Sequence, residues 1–171
     1  MKNSKPVISF VGKSGSGKTT LLEKVIKRLK QEGFRVAAIK HDAHRFDIDK
    51  PGKDSWRMTQ AGADVVAISS SEKMAMVEIV SKEKSLDEII AMLPDEVDIV
   101  LTEGYKSGDK PKIEICRSEV YRERLCSPEE LLAIVSDVVW DDLDVPQYQL
   151  DDIDGVVNEI KRYIAAHCSN Q

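Results

Sequence analysis

The chain has 171 residues, of which 42% are hydrophobic and 32% are charged, with a formal net charge of −5 at pH 7. This length suits one domain with a buried core, and the balance of apolar and charged residues excludes a wholly disordered chain. The acidic charge argues against a nucleic-acid partner bound by bulk electrostatics. No apolar stretch is long enough for a membrane span, and the three cysteines are too few and too scattered for a disulfide framework. We therefore expect a single cytoplasmic domain over residues 1–171, with neither nucleic acid nor membrane as a partner.

The first part of the chain alternates short apolar runs with helical patterns, which is typical of an α/β fold with a mainly parallel sheet. Apolar residues spaced three and four apart after residue 18 indicate a helix with one buried stripe. The predicted elements are a strand over 7–11, a helix ending at Gly33, a strand over 35–39, a polar loop over 40–54 and a short helix from about Asp54 to Gly62.

The second part of the chain begins with a hairpin signal, because two apolar runs are separated only by "SSEK". We expect this antiparallel hairpin as an addition to the sheet. Ser85 and Glu88 form a capping-box pattern that begins a helix, and Pro94 ends it. The remaining predicted elements are strands over 97–101, 112–116 and 131–135, a short helix opened by "SPEE" and a last helix with apolar positions from Ile153 to Ile164.

Glycines cluster in "FVGKSGSGKTT" (10–20), between the first strand and the first helix. Gly12, Gly17, Lys18 and Thr19 match G-x-x-x-x-G-K-[ST], the phosphate-binding P-loop. Glycines let successive backbone N–H groups point inward, and the helix start adds its positive dipole end. The motif predicts a three-layer P-loop NTPase fold, with Lys18 on the β- and γ-phosphates and Thr19 on Mg²⁺. The residues predicted to contact the nucleotide here are Gly12, Lys13, Ser14, Gly15, Ser16, Gly17, Lys18, Thr19 and Thr20.

Magnesium needs further oxygen ligands, and "VDIVLTEG" carries two candidates. If this strand runs parallel to the first, its carboxyl end lies beside the P-loop, which favours Glu103 and leaves Asp98 at the far end. Asp42, just after the second strand, is the next candidate. Thr19, Glu103 and Asp42 are thus the predicted metal ligands, and Lys18 and Glu103 are the predicted catalytic residues.

The loop "KHDAHRFDIDKPGKDSWR" (40–57) combines both signs of charge with two histidines. Such a loop suits an anionic ligand or a metal. A charged loop in which Asp54 only caps a helix explains part of the pattern equally well. The residues predicted to form an anion or cofactor loop are His41, His44, Asp49, Lys53, Asp54, Ser55 and Arg57.

Asp137 ends the run "LLAIVSD" on the rim where a nucleotide base is expected. A carboxylate there could accept hydrogen bonds from N1–H and the N2 amino group of guanine, a donor pair that adenine lacks. An aspartate that only caps a turn is the alternative.

At these residues the chain resembles the molybdopterin-guanine dinucleotide biosynthesis protein B (MobB) family of P-loop GTP-binding proteins. The stretches that carry the resemblance are "GKSGSGKTT", "IKHDAHRFDIDKPGKDSWRMTQAGA", "VDIVLTEGYK", "PKIEICR" and "AIVSD". It implies a GTP-binding accessory protein with weak Mg²⁺-dependent GTPase activity, which assists attachment of GMP to molybdopterin. It also implies a homodimer and the guanylyltransferase MobA as a partner. Molybdopterin is a candidate ligand, and molybdenum enzymes or their chaperones are further candidate partners.

The resemblance also assigns parts of the chain. It implies that residues 12–20 hold the phosphates, that residues 103–106 lie near magnesium and that Asp137 faces the base. The block "GKDSxR" at 52–57 is left open among metal, anion and cofactor binding. Lys13 matches a lysine that reaches the partner's nucleotide in some dimeric P-loop ATPases, with a phosphate contact or a solvated side chain as alternatives.

Two other functional classes remain open from the sequence. The P-loop also suits a small-molecule kinase using ATP or GTP, in which Arg117, Arg122 and Arg124 would close as a lid. A solvated helix over "SEVYRERL" is the alternative for these arginines. A pure binding module, switched by nucleotide, is the third class. No glutamine or aspartate is evidently placed to orient water, so we expect slow hydrolysis.

Overall fold

The computed structural model describes residues 4–42 and 46–169, and contacts divide the chain into two compact units. One unit comprises Met1–His41 and Leu93–Gln171, and the other comprises Asp42–Met92. The single domain expected from the chain length stays a prediction. Among the described residues, no helix is both long enough and apolar enough to cross a membrane.

Within residues 4–42 and 46–169, eight strands and four α-helices follow the predicted order closely, with a 3₁₀ turn at Pro128–Glu130 where "SPEE" predicts a short helix. The elements are β1 (Val7–Val11), α1 (Lys18–Gln31), β2 (Val36–Lys40), α2 (Asp54–Gln60), β3 (Val65–Ser69), β4 (Met74–Glu78), α3 (Leu86–Ala91), β5 (Ile99–Glu103), β6 (Lys112–Cys116), β7 (Leu131–Ser136), β8 (Gln147–Tyr148) and α4 (Ile153–Ser169).

The first unit contains a six-stranded sheet in the order β2-β5-β1-β6-β7-β8, and every neighbouring pair is parallel. The predicted mainly parallel sheet is therefore confirmed. β1 lies between β5 and β6, so the carboxyl ends of those two strands flank the loop that follows β1. β8 was not predicted from the sequence, because a strand of two residues is too short to show a periodic pattern.

Helices α1 and α4 pack together against one face of this sheet. Leu22, Val25 and Leu29 form the buried stripe of α1, and Val156 and Ile160 belong to that of α4. Burying an aliphatic side chain of this size contributes roughly 1.5–3 kcal/mol. The predicted periodicity of both helices is thus confirmed by the faces they bury.

The other face carries a second apolar cluster, to which the irregular chain after β6 contributes Tyr121 and Cys126. The buried Glu114 carboxylate accepts hydrogen bonds from the backbone N–H groups of Leu125 (2.8 Å) and Cys126 (3.0 Å). These amides are therefore not free for an α-helical ladder. A helix over "SEVYRERL" is accordingly wrong, and residues 118–125 form turns and irregular chain.

All three cysteines are free thiols, as expected. Burial raises the pKa of Cys126 to about 12, and the Glu114 carboxylate raises it further. Burial likewise raises the pKa of Cys116. Both buried thiols therefore stay protonated at neutral pH and behave as small apolar side chains.

The predicted antiparallel hairpin is confirmed as β3 and β4 in the second unit. It is not an addition to the six-stranded sheet, as the sequence predicted, because its strands bond only to each other and form a two-stranded sheet of their own. Helix α3 begins with the predicted capping box, because the Glu88 N–H donates to Ser85 Oγ and the Ser85 N–H donates to the Glu88 carboxylate. Asp54 as the N-cap of α2 is wrong. Lys53 is the extended N-cap residue, and Asp54 is the first helical residue, where its charge complements the helix dipole.

Candidate nucleotide site

The loop between β1 and α1 has the backbone of a phosphate nest. Gly15 and Gly17 have φ angles of +80° and +93°, which residues with a Cβ rarely adopt. Gly17 is the N-cap of α1 and supplies no side-chain cap, and no acidic residue lies in the first helical turn. The first amides of α1 are therefore left for an external anion.

Gly12 is required by close packing between β1 and β6. A Cβ at this position would lie 2.5 Å from the Ile115 carbonyl oxygen and 2.7 Å from Ser16 Oγ. Both distances are far below van der Waals contact. The motif glycine thus lets the loop pass directly over the end of β6.

Ser16 supports the fit of an anion to this nest. Its hydroxyl oxygen is buried and has no hydrogen-bond partner among the described residues. Leaving a buried polar group unsatisfied costs about 1–3 kcal/mol. A phosphate oxygen in the nest would remove this cost.

Lys18 carries the positive charge of the nest. Its Nζ donates a hydrogen bond to the Lys13 carbonyl oxygen at 2.9 Å, which holds the side chain over the loop. Partial burial lowers the pKa of Lys18, against the opposing effect of the Glu103 carboxylate, and Lys106 and Lys40 lower it further. Burial and the two neighbouring lysines therefore outweigh the one nearby carboxylate, and a bound phosphate would supply further negative charge.

Glu103 lies at the carboxyl end of β5, where parallel pairing with β1 brings it to the P-loop. The Thr19 hydroxyl donates to its carboxylate, whose two oxygens lie 3.0 and 2.9 Å from Oγ1. Mg²⁺ binds oxygen at 2.0–2.1 Å in an octahedron, which places neighbouring ligands about 2.9 Å apart. The two side chains are thus close enough to bind one magnesium ion together, and their role as metal ligands stays a prediction.

The other acidic candidates from the sequence are Asp98 and Asp42. Asp98, at the opposite end of β5, accepts a hydrogen bond from the Arg35 N–H at 2.6 Å, in keeping with a structural role at the strand end. Asp42 begins the second unit and is exposed, and its role as a metal ligand stays a prediction. Among the described residues, no three His, Cys, Asp or Glu side chains form a metal-binding group by themselves.

The loop after β5 contacts the end of β2 through His41. The backbone N–H of His41 donates a hydrogen bond to the Glu103 carbonyl oxygen at 2.9 Å. The centroid of the His41 ring lies 4.9 Å from the centroid of the Tyr105 ring. Tyr105 has a φ of 51°, a left-handed conformation that is uncommon outside glycine. This contact fixes the backbone beside Glu103, which no local pattern in the sequence indicated.

Tyr121, which sequence reasoning missed, anchors the P-loop from the other side. Its buried hydroxyl donates to the Ile115 carbonyl oxygen at 2.6 Å, and the Lys13 ammonium lies 5.1 Å from the ring centroid. Burial and the nearby Glu114 carboxylate raise the pKa of Tyr121, so the phenol stays neutral. Lys13 therefore has a cation–π partner within its own chain, while its role across a dimer stays a prediction.

Asp137 follows β7 and caps a turn. Its two carboxylate oxygens accept hydrogen bonds from the Ser118 N–H and the Ser118 hydroxyl, each at 2.8 Å. These bonds hold the pKa of Asp137 below its usual range, and the charge of Arg117 adds to the effect. A carboxylate has about four lone-pair sites, so the side chain retains acceptor capacity for a base. Base recognition by Asp137 stays a prediction.

The charged loop of the second unit is partly ordered by its own side chains. Ser55 Oγ donates to Asp49 Oδ1 at 2.8 Å, and Arg57 lies 3.7 Å from Asp54 at the start of α2. His44 lies outside the described residues. The predicted anion or cofactor role of this loop is untested by these contacts.

Arg124, one of the three arginines of the predicted kinase lid, has partners within the folded chain. Arg124 forms a two-pronged pair with Asp142, with both N···O distances at 3.0 Å, and lies 6.0 Å from the Trp140 ring centroid. The pair places Arg124 on the folded surface of the ligand-free chain, and the lid role of the three arginines stays a prediction.

Comparison with known proteins assigns the chain to one group. Residues 7–137 match the family model described as molybdopterin guanine dinucleotide synthesis protein B. A molybdopterin-guanine dinucleotide biosynthesis adapter protein of Haemophilus influenzae is 40% identical over 137 residues, covering 80% of this chain and 77% of the relative. The Escherichia coli adapter protein is 34% identical, covering 93% of each chain. A crystal structure of molybdopterin-guanine biosynthesis protein B covers 91% of this chain and 98% of its own, with a TM-score of 0.70 and 30% identity.

Proposed function

The chain belongs to the MobB family and has an adapter role in molybdopterin guanine dinucleotide biosynthesis, and we propose that it performs this role as a GTP-binding accessory protein that assists attachment of GMP to molybdopterin. One observation carries the proposal. The anion nest around Ser16 lies directly beside the Thr19–Glu103 pair, which has the spacing of two magnesium ligands. When bound, Mg²⁺ would neutralise the β- and γ-phosphates of the nucleotide.

Guanine recognition is the part of the proposal that depends on Asp137. The carboxylate is ionised and held in place by Ser118, at the end of a strand on the same sheet edge as the P-loop. Fixed acceptors suit the N1–H and N2 donors of guanine, whereas adenine presents a ring acceptor at N1.

We expect the wild-type protein to bind GTP with Mg²⁺ more tightly than ATP in isothermal titration calorimetry. Asp137→Asn should reduce the preference for GTP by roughly 10-fold, since one charge-assisted acceptor is replaced by a neutral amide. Asp141→Asn, at an exposed position nearby in the chain, is the matched control. Equal binding of both nucleotides by the wild type would contradict guanine specificity. Preference for ATP, with turnover dependent on a small hydroxyl compound, would support the kinase instead.

Removal of the Glu103 carboxylate should uncouple nucleotide binding from magnesium. We expect Mg²⁺ to tighten GTP binding to the wild type, and we expect Glu103→Gln to lose most of this gain, because an amide oxygen is a weaker ligand than a carboxylate. Titrations of GTP into each protein, once with Mg²⁺ and once with EDTA, measure the affinity for GTP with and without the metal. Asp98→Asn, at the opposite end of the same strand, should leave the magnesium effect unchanged. A wild-type affinity for GTP that is indifferent to Mg²⁺ would refute the metal site.

The weak GTPase activity is proposed on the same site. The chain offers a phosphate nest and two metal ligands but no side chain evidently placed to activate water, so unaided hydrolysis should be slow. Consumption of GTP should then respond to the guanylyltransferase MobA or to molybdopterin rather than to small hydroxyl compounds. Multiple turnovers per second by the isolated protein would be inconsistent with an accessory role.

A homodimer is supported by the exposed apolar face of the β3–β4 hairpin. Val65, Met74 and Met76 alternate onto one face of the two-stranded sheet and are 50%, 70% and 52% exposed. Exposed apolar clusters of this kind commonly mark protein–protein contacts. We therefore propose a second copy of the chain as the partner of this face, while MobA and molybdenum enzymes or their chaperones remain proposed partners without an assigned surface.

Met76→Glu should convert the dimer to a monomer, because it places a charge in the centre of the apolar face. Sedimentation or light scattering gives the mass in solution. Ser71→Glu, at an exposed position in the hairpin turn, adds the same single negative charge outside the two strands. If the wild type is a monomer, or if Met76→Glu remains a dimer, the hairpin is not the dimer contact.

A further inference from the structure

Arg117 follows directly after β6 and lies against the P-loop. A terminal nitrogen of its guanidinium is 3.6 Å from the position that a Cβ of Gly17 would occupy. Gly17 is the N-cap residue of α1, so the guanidinium lies beside the first amides of that helix. From the sequence, Arg117 was predicted only as part of a kinase lid, and it has no role in the proposed function.

Arg117 is half-buried, and hydrogen bonds of its backbone hold the residue in place. The Arg117 carbonyl oxygen accepts hydrogen bonds from the Val120 N–H (2.8 Å) and the Tyr121 N–H (3.0 Å), which closes a turn. Ser118, the next residue, is held by Asp137. In the described part of the chain, no hydrogen bond ties the guanidinium itself to another side chain. The turn is thus rigid while the donors of Arg117 remain available.

The strand order decides which part of a nucleotide Arg117 faces. β5 and β6 flank β1 on opposite sides. Because Glu103 ends β5, the proposed magnesium ion lies on the β5 side of the P-loop. Arg117 lies on the other side, toward β7 and Asp137. A nucleotide with its β- and γ-phosphates at the metal and its base at Asp137 must carry its α-phosphate between them. The positive charge of Arg117 contributes to the lowered pKa of Asp137, which is consistent with a guanidinium that lies between the nest and the proposed base site.

We propose that Arg117 binds the α-phosphate of the nucleotide. The guanidinium fork can donate two hydrogen bonds to phosphate oxygens and supplies a positive charge. Lys18 and Mg²⁺ neutralise the terminal phosphates, whereas Arg117 neutralises the phosphate next to the ribose. This inference rests on the proposed function, because it requires a nucleotide in the P-loop.

The test compares GTP and GDP binding to the wild type, Arg117→Ala and Arg117→Lys by calorimetry. We expect Arg117→Ala to weaken GTP and GDP by a similar factor of roughly 10-fold to 100-fold, because both ligands carry the α-phosphate. Arg117→Lys should recover part of the loss, since it keeps the charge but not the fork. Arg122→Ala, an exposed arginine in the same segment, should bind both ligands as the wild type does. Thermal unfolding without nucleotide should be similar for all four proteins, which excludes loss of fold as the cause.

Each contrary result has a separate meaning. Unchanged affinities in Arg117→Ala would overturn the inference and leave the proposed function intact. A loss confined to GTP would show a contact with the γ-phosphate and would also overturn it. If the wild type prefers ATP, guanine specificity fails, and ATP and ADP then test Arg117 in the same way. If the wild type binds no nucleotide, the proposed function fails and the inference falls with it.

Discussion

Lys18→Ala should weaken GTP binding by roughly 100-fold or more, the largest loss that we expect from any single side chain at this site. A hydrogen bond to a charged group contributes up to about 3 kcal/mol, which corresponds to roughly this factor in the dissociation constant. Lys18 is placed for such a contact, because its ammonium is held over the loop by the Lys13 carbonyl oxygen. Isothermal titration with GTP and Mg²⁺ measures the change.

The same substitution should leave the fold intact. Partial burial lowers the pKa of Lys18, so its charge is not stabilised by the ligand-free protein, and alanine is the best helix former for the first residue of α1. We expect the unfolding temperature without nucleotide to be equal to or above that of the wild type. Lys24→Ala, exposed on the same helix, controls for the loss of one positive charge. GTP binding by Lys18→Ala at wild-type affinity would mean that the loop does not hold the triphosphate.

The phosphate nest could be predicted because all its parts lie within one short stretch. Gly12, Gly17 and Lys18 act through backbone conformation and charge at fixed spacing between a strand and a helix, so the local sequence contains the whole nest. Glu103 needed one further step, the assumption that its strand is parallel to the first. The observed pairing of Phe10 with Glu103 supports that assumption.

Other parts of the site could not be predicted, because they depend on which strands become neighbours. Arg117 and Tyr121 reach the P-loop only because β6 pairs with β1, about a hundred residues away in the chain. Glu114 lies in a strand whose pattern predicts burial, yet its carboxylate binds amides of the following segment. A helical pattern over that segment was therefore overridden by one buried charge that needs hydrogen bonds. Local propensity cannot report such long-range partners.

Gly12→Ala should lower the free energy of unfolding by about 3 kcal/mol, because its Cβ would meet backbone rather than a side chain that can move. The added carbon would lie 2.5 Å from the Ile115 carbonyl oxygen and 2.7 Å from Ser16 Oγ. Either the P-loop or the end of β6 must shift, and Tyr121, whose hydroxyl donates to the same carbonyl oxygen, must shift with it. Urea denaturation of the ligand-free protein measures the loss.

Gly15→Ala separates this clash from the general strain of a left-handed glycine. Gly15 has a φ of +80°, and a Cβ there meets no atom within 4 Å, so its substitution should cost only about 1–2 kcal/mol of backbone strain. Because Gly12 joins the nest to β6, its substitution should also weaken GTP binding, and it should do so even at low temperature, where the fold is retained. Equal loss of stability in the two variants would show that backbone strain, and not the contact with β6, makes glycine necessary at position 12. The P-loop would then be held by its own turns and not by the strand that carries Arg117.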